Sequence, residues 1–202
     1  NHPLMFAASK IGAPLVMGNT VVLKVPDQAP LSPLYMAELI KEVFPPGVIN
    51  MISGDGRNTG DALVRHPRVK RIALTGSVET GLLIQRSAAE VMVKHVSLEL
   101  GGKNPMIVFP DADMDSAVEG AARGMNFHWS QGQSCGSTSR LFLHRDIHDE
   151  FVEKLKRRVE RIVIGDPLDP ATEMGCMISK SQYDKAHKYS DLGREQGAVC
   201  VT

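Results

Sequence analysis

The feature that most constrains the fold is a regular alternation of short β-branched runs with longer amphipathic segments. In the longer segments apolar side chains recur at helical spacing, as at Met114, Val118 and Met125. Strands separated by helices of this length favour parallel pairing, so we predict an α/β fold. The predicted strands cover 19–25, 48–53, 71–75, 93–100, 106–109, 140–144 and 198–202. The predicted helices cover 4–12, 32–43 with Ser32 as cap, 56–65, 77–90, 111–127, 147–162 and a segment from 181.

The alternation is interrupted at Leu100-Gly101-Gly102, which has the composition of a hinge. Beyond it the strand and helix pattern starts again. We therefore predict two parts, 1–100 and 101–202.

Composition excludes several classes of function. The 23 basic and 23 acidic residues cancel to a formal net charge of 0, whereas a nucleic-acid-binding protein needs a basic face. No apolar run approaches the roughly 18 residues of a membrane span. We expect neither nucleic acid nor membrane as a partner. The chain begins at Asn1 without a leader, and we expect it to be an internal piece of a longer protein.

The three cysteines form neither a metal-binding spacing nor a disulfide framework. We expect no metal and a reducing, cytoplasmic setting. Cys135 is the candidate reactive thiol, because its neighbours are small and polar and it lies on a loop between a helix and a strand. Cys200 lies in an apolar strand pattern, which predicts a packing role. Cys176, close to two methionines, could be either a packing residue or a reactive thiol, and packing is favoured.

Three glycines, Gly54, Gly56 and Gly60, follow a predicted strand and open a predicted helix. Glycines allow close approach of a phosphate, and a helix N-terminus favours an anion. The last gap is one residue longer than in the usual dinucleotide turn, and a plain tight turn is the better local explanation.

Two other strand ends carry candidate cofactor contacts. Lys24 and Asp27 could hold a ribose, since a carboxylate accepts hydrogen bonds from both hydroxyls; a solvated loop explains them equally well. Thr75, Gly76 and Ser77 separate a strand from a helix. They could contact phosphate or nicotinamide, but capping by Ser77 is favoured locally.

Glu99 ends a strand rich in valine and leucine, immediately before the hinge. Apolar surroundings would raise the pKa of its carboxyl and suit a general base. A place on the polar face of the strand, beside His95 and Ser97, is an equally good alternative.

Taken in order, these segments resemble the aldehyde dehydrogenase superfamily along essentially the whole chain. Asn1-His2-Pro3-Leu4 is similar to the end of its Pro-Trp-Asn-aromatic-Pro segment, Gly18 to Lys24 to its ribose-binding strand, and Leu74-Thr75-Gly76-Ser77 to its Phe-Thr-Gly-Ser turn. Leu98 to Lys103 is similar to its glutamate motif, Gly132-Gln133-Ser134-Cys135 to its cysteine motif, and Gly165-Asp166-Pro167 to the stretch beyond.

The resemblance implies the catalytic roles. Cys135 would be the nucleophile that attacks the aldehyde. The side-chain amide of Asn1 and the backbone N–H of Cys135 would form the oxyanion hole. Glu99 would activate the water that hydrolyses the thioester. Its presence favours the hydrolytic branch over coenzyme-A-acylating dehydrogenases, which remain an alternative together with an inactive nucleotide-binding or scaffold fragment.

The resemblance also implies a cofactor and its contacts. Residues 1–100 would be the C-terminal part of an NAD(P)-binding, Rossmann-like domain, and 101–202 the N-terminal part of a catalytic domain. The implied cofactor contacts are Lys24, Asp27, Gly54, Gly56, Gly60, Thr75, Gly76, Ser77, Leu100 and Gly101. NAD is favoured, with NADP as the alternative, because a carboxylate at Asp27 repels a 2′-phosphate. The expected partners are an aldehyde and further copies of the chain, in a homodimer or homotetramer.

This chain departs from the family pattern at several places, among them a longer stretch at 126–130. Asp27 replaces the usual glutamate, Leu74 the usual phenylalanine, and Ser137 stands where alanine or glycine is commoner. The first βαβ elements of the cofactor domain and the later Glu-x-Phe-Gly-Pro motif are absent. We therefore expect the chain alone to bind the cofactor weakly or not at all.

Overall fold

A computed structural model describes all 202 residues of the chain. The chain folds into two compact units. One consists of His2–Gly101, and the other of Gly102–Thr202 together with Asn1.

The unit His2–Gly101 contains two βαβ arrangements. Its helices are α1 (Pro3–Val16), α2 (Leu31–Ile40), α3 (Asp61–Arg65) and α4 (Val78–Ala89), and its strands are β1 (Val21–Lys24), β2 (Ile49–Ile52), β3 (Arg71–Thr75) and β4 (His95–Glu99). Strands β1 and β2 pair in parallel, as do β3 and β4. Since parallel partners end at the same edge, Thr75 lies opposite Glu99 in the register.

The second unit contains one further parallel pair. Its strands are β5 (Pro105–Val108) and β6 (Arg140–Leu143), and its helices are α5 (Met114–Gly124), α6 (Phe127–Ser130), α7 (His148–Glu160) and α8 (Lys180–Glu195). The predicted α/β fold with parallel strands is confirmed. The strands form three two-stranded pairs, however, and not one continuous sheet.

The core of the second unit is centred on Phe151, a completely buried residue of α7. It packs with Val108 of β5 and with Val118 and Ala121 of α5. Val118 belongs to the predicted apolar stripe, so the helical spacing in the sequence identified the buried face correctly. Burial of a side chain of this size contributes about 1.5–3 kcal/mol.

Three predicted features were wrong in detail. Residues 198–202 form no strand, because no neighbouring strand completes a ladder with them. Ser32 does not cap α2: the backbone of Pro30 is already helical and the helix begins at Leu31. The segment after Gly54 begins as a π-helical turn, Gly56–Gly60, before α3. None of the helices is both long and apolar enough to cross a membrane.

Candidate active site

Cys135 lies at the corner of a tight turn formed by residues 134–137. The N–H of Ser137 donates to the carbonyl of Ser134 at 3.2 Å, which closes the turn. The N–H of Gly136 donates to the Ser134 hydroxyl oxygen, also at 3.2 Å. The Cys135 residue is half-buried, and its own N–H donates no hydrogen bond within the chain. This turn therefore presents both a thiol and a backbone donor that the fold leaves available.

The turn is fastened to the end of α5. Ser137 is buried, and its hydroxyl donates to the carbonyl of Met125 at 2.9 Å. The N–H of Thr138 donates to the carbonyl of Gly124 at 2.9 Å. A buried hydroxyl requires such a partner, because an unpaired one costs about 1–3 kcal/mol. The departure from the family pattern at Ser137 thus supplies an anchor for the turn.

The segment leading into the turn contains two residues in the left-handed region. Asn126 has φ 59° and Gln131 has φ 52°, one on each side of the short helix α6. Non-glycine residues with positive φ are uncommon and store of order 1–3 kcal/mol of strain each. Such strain is frequent near functional sites and is consistent with a loop shaped for the thiol.

Asn1 reaches the same loop. Its side-chain amide donates to the carbonyl of Gln133 at 2.8 Å, two residues before Cys135. The structure therefore brings together Asn1 and the cysteine motif, which no local sequence signal indicated.

Glu99 is the last residue of β4, and its side chain is exposed. Its backbone carbonyl accepts a hydrogen bond from the N–H of Gly76 at 3.0 Å, which continues the β3–β4 ladder by one residue. The Glu99 side chain has no apolar enclosure and lies on the polar face of the strand, where water can reach its carboxylate.

The glycine turn is tight and stabilised from within. Gly54 has φ +140°, and a β-carbon there would overlap the side chain of Thr59. The carboxylate of Asp55 accepts hydrogen bonds from the side chain of Asn58 at 3.0 Å and from its backbone N–H at 2.7 Å. These bonds hold the pKa of Asp55 below its ordinary value. An anionic cap already occupies this N-terminus, which favours the plain tight turn over a phosphate site at Gly56.

Lys24 ends β1 beside the glycine turn. Its ammonium donates to the carbonyl of Val25 at 2.8 Å. Its stem lies 3.8 Å from where a β-carbon at Gly60 would be. Asp27 follows on an exposed bend. Lys24 thus lies at the carboxyl end of β1 and Asp27 lies just beyond it, at the edge where parallel sheets bind ligands.

The segment Thr75-Gly76-Ser77 lies at the carboxyl end of β3. The hydroxyl oxygen of Ser77 accepts from the N–H of Thr80 at 3.1 Å, which confirms the predicted cap of α4. The hydroxyl of Thr75 is buried and has no hydrogen-bond partner. Buried polar groups are almost always paired, so this unpartnered hydroxyl fits a position where a polar ligand completes the site.

Asn104 was missed as a site residue. Its side-chain amide donates to the carbonyl of Cys135 at 2.7 Å and to that of Ser137 at 3.1 Å. The available signal was an amide side chain placed between the glycine pair and an apolar strand.

The packing roles predicted for Cys176 and Cys200 were wrong, since both are exposed. Cys200 lies in the segment that lacks a strand partner.

Parallel βαβ units with a half-buried cysteine on a tight turn define an α/β protein with a candidate nucleophilic thiol. The chain belongs to the aldehyde dehydrogenase family, whose family model matches residues 1–202. The resemblance to this superfamily is thereby confirmed.

Individual relatives agree with this assignment. Aldehyde dehydrogenase tropH of Talaromyces stipitatus is 50% identical over 203 residues, covering 100% of this chain and 39% of the relative. Human retinal dehydrogenase 2 is 49% identical, with 98% of this chain and 38% of the relative covered. This chain thus spans about two fifths of the length of the curated relatives it matches.

Solved structures show the same fold. The NAD+ complex of an aldehyde dehydrogenase from Bacillus cereus matches with a TM-score of 0.92 at 42% identity, over 96% of this chain and 39% of that chain. Betaine aldehyde dehydrogenase from Staphylococcus aureus, in complex with NAD+, matches with a TM-score of 0.94 at 40% identity, over 100% of this chain and 39% of that chain.

Proposed function

We propose that the whole protein oxidises an aldehyde to a carboxylic acid with NAD(P)+, using Cys135 as its nucleophile. The observation that carries this proposal is the tight turn, which presents the Cys135 thiol together with a backbone N–H that has no acceptor in the chain. Membership of the aldehyde dehydrogenase family supports the reaction class.

The first step is addition of the Cys135 thiolate to the aldehyde carbon. A C–S bond forms, and the carbonyl π electrons move to the oxygen, giving a thiohemiacetal. The Cys135 N–H and the Asn1 amide are the proposed donors that stabilise this oxyanion. The hydrogen bond from Asn1 to Gln133 supports this role, because it holds Asn1 at the loop that carries the thiol.

When bound, NAD(P)+ supplies the acceptor for the hydride that leaves the thiohemiacetal carbon. Glu99 is the proposed general base for the thioester that remains on Cys135. Its carboxylate takes a proton from water, and the water oxygen attacks the thioester carbonyl. The C–S bond then breaks, the carboxylic acid leaves and the thiolate is restored. The exposure of Glu99 supports this role, since water must reach its carboxylate.

The cofactor contacts remain predictions at the strand ends. Lys24 and Asp27 would hold the adenosine ribose, Ser77 the pyrophosphate, and the backbone at Gly76, Leu100 and Gly101 would approach the cofactor. The unpartnered hydroxyl of Thr75 supports a polar ligand there. NAD is preferred because the charge of Asp27 opposes a 2′-phosphate, and the relatives from Bacillus cereus and Staphylococcus aureus were solved with NAD+.

The test is the rate of NADH formation by the whole protein. Cys135→Ser should lower this rate by about 10³-fold or more, because the serine hydroxyl is far less acidic than a thiol and is a weaker nucleophile. Cys176→Ser is the matched control, since Cys176 is exposed and outside the turn; it should retain activity. Full activity of Cys135→Ser would refute the proposal.

Product analysis with and without coenzyme A separates hydrolysis from acyl transfer. A cytoplasmic location and assembly into a homodimer or homotetramer stay predictions. Analytical ultracentrifugation of the whole protein can test the assembly.

A further inference from the structure

Asn104 donates two hydrogen bonds to the turn that carries Cys135. Its amide nitrogen lies 2.7 Å from the carbonyl oxygen of Cys135 and 3.1 Å from that of Ser137. A side-chain amide has two N–H donors, and both acceptors here are carbonyls, so the NH2 group must face the turn. Asn104 is half-buried, which protects both bonds from competition by water.

These bonds restrain the peptide unit between Cys135 and Gly136 at both ends. Asn104 holds its carbonyl oxygen, and the Ser134 hydroxyl accepts from its N–H at 3.2 Å. Each residue has only two soft backbone dihedrals. Holding the peptide that follows Cys135 therefore restrains ψ of that residue, and with it the direction of the Cα–Cβ bond that carries the thiol.

Asn104 is itself held by the adjoining strands. Its carbonyl accepts from the N–H of Arg140 at 3.1 Å, at the start of the β5–β6 pair. The Arg140 side chain donates to the carbonyl of Lys103 at 2.7 Å. The Asn104 side chain that binds the turn is thus anchored on regular structure, which holds a reactive group more accurately than a free loop does.

We propose that Asn104 is a positioning residue for the Cys135 thiol, acting on the backbone of the turn and not on the substrate. This role rests on the proposed function, in which that thiol attacks a carbonyl carbon. Misplacement of a nucleophile by about 1 Å lowers its rate by about 100-fold, so loss of both bonds should slow attack by about 10- to 100-fold.

The experiment uses p-nitrophenyl acetate, an activated ester that requires no cofactor. Attack forms a C–S bond and breaks the ester C–O bond, releasing p-nitrophenolate and leaving acetyl-Cys135. The pre-steady-state burst that is absent from Cys135→Ser measures this step in the whole protein. Its amplitude reports the fraction of folded sites, and its rate constant reports how the thiol is positioned.

Asn104→Ala should keep most of the amplitude and lower the rate constant by about 10- to 100-fold. Asn104→Ser, which retains one donor, should give an intermediate rate constant. Asn50→Ala is the matched control, because Asn50 also donates to two carbonyls, those of Val21 and Gly47, in the other unit. It should leave the rate constant unchanged.

A rate constant for Asn104→Ala within about twofold of wild type, or a loss of amplitude alone, would overturn the positioning role. If Asn104→Ala does not fold, Asn104→Ser decides, and a wild-type rate constant there overturns it. A wild-type protein without a Cys135-dependent burst would instead contradict the proposed function itself.

Discussion

The hydroxyl of Thr138 lies directly against Gly124, where a side chain would otherwise be. A β-carbon at position 124 would overlap this hydroxyl oxygen. The hydroxyl is buried and has no hydrogen-bond partner, while the N–H of Thr138 donates to the carbonyl of Gly124. The last residue of α5 therefore has to be small for the segment after the thiol to pack.

We predict that Gly124→Ala lowers the free energy of unfolding by about 1–3 kcal/mol through overpacking. Gly120→Ala is the control on the same helix, because its β-carbon would meet only the Met106 methyl at 3.7 Å. Alanine is the better helix former, so this control should be neutral or stabilising. Urea denaturation measures both, and equal stabilities would contradict the packing explanation. Adding Thr138→Ala to Gly124→Ala should recover most of the loss.

Ser77 has two roles to separate, as the cap of α4 and as a predicted pyrophosphate contact. Ser77→Ala should cost about 1 kcal/mol of stability through loss of the cap. If Ser77 also contacts the cofactor, the KM for NAD should rise as well. Ser179→Ala is the matched cap variant, since Ser179 caps α8 through the N–H of Gln182. A KM unchanged in Ser77→Ala would leave the residue as a cap alone.

Glu99→Gln should block hydrolysis and spare the steps before it. We expect a burst of NADH that approaches one equivalent per site, followed by turnover reduced by about 10²- to 10⁴-fold, the range for general-base catalysis. Glu42→Gln, at an exposed position after α2, serves as the control. Rapid mixing with mass spectrometry of the acyl-enzyme checks this result. Absence of both the burst and the acyl-enzyme would assign Glu99 another role.

Glu119 contributes stability that depends on pH. Its carboxylate accepts hydrogen bonds from Arg158 and Arg123, each at a shortest distance of 2.7 Å, which lower its pKa from 4.5 to about 2. Because the folded pKa is below the unfolded one, this stabilisation is complete above 4.5 and is lost as the pH falls towards 2.

The difference in unfolding free energy between wild type and Glu119→Gln should therefore be largest above pH 5 and should shrink between 4.5 and 2. Denaturation at a series of pH values measures it. A difference that stays constant across this window would mean that the ion pairs contribute nothing to stability.

Local sequence signals predicted much of the fold. The strand at 71–75 and the cap at Ser77 match the structure, because both depend on neighbouring residues alone. Residues 198–202 have a strand pattern and form none, since pairing depends on a second strand that no local pattern specifies. The same dependence left Cys200 exposed, although its sequence neighbours are apolar.

The candidate site was predictable only in part. The small neighbours of Cys135 indicated its loop, but Asn1 was identified by resemblance alone, because its hydrogen bond to Gln133 spans 132 positions. Asn104 was not identified for the same reason, since its acceptors lie 31 and 33 residues away. For Glu99 the composition of the strand left two environments open, and only the exposure of the side chain decided between them.

The position of Asn104 has a consequence for folding kinetics. The residue accepts the hydrogen bond from Arg140 at the start of the β5–β6 pair and also clamps the Cys135 turn. Pairing of these strands requires closure of a loop of more than thirty residues that contains α5 and α6, and such closure is slower than local helix formation. We therefore expect the turn to reach its final geometry only once β5 and β6 have paired, after the local helices have formed.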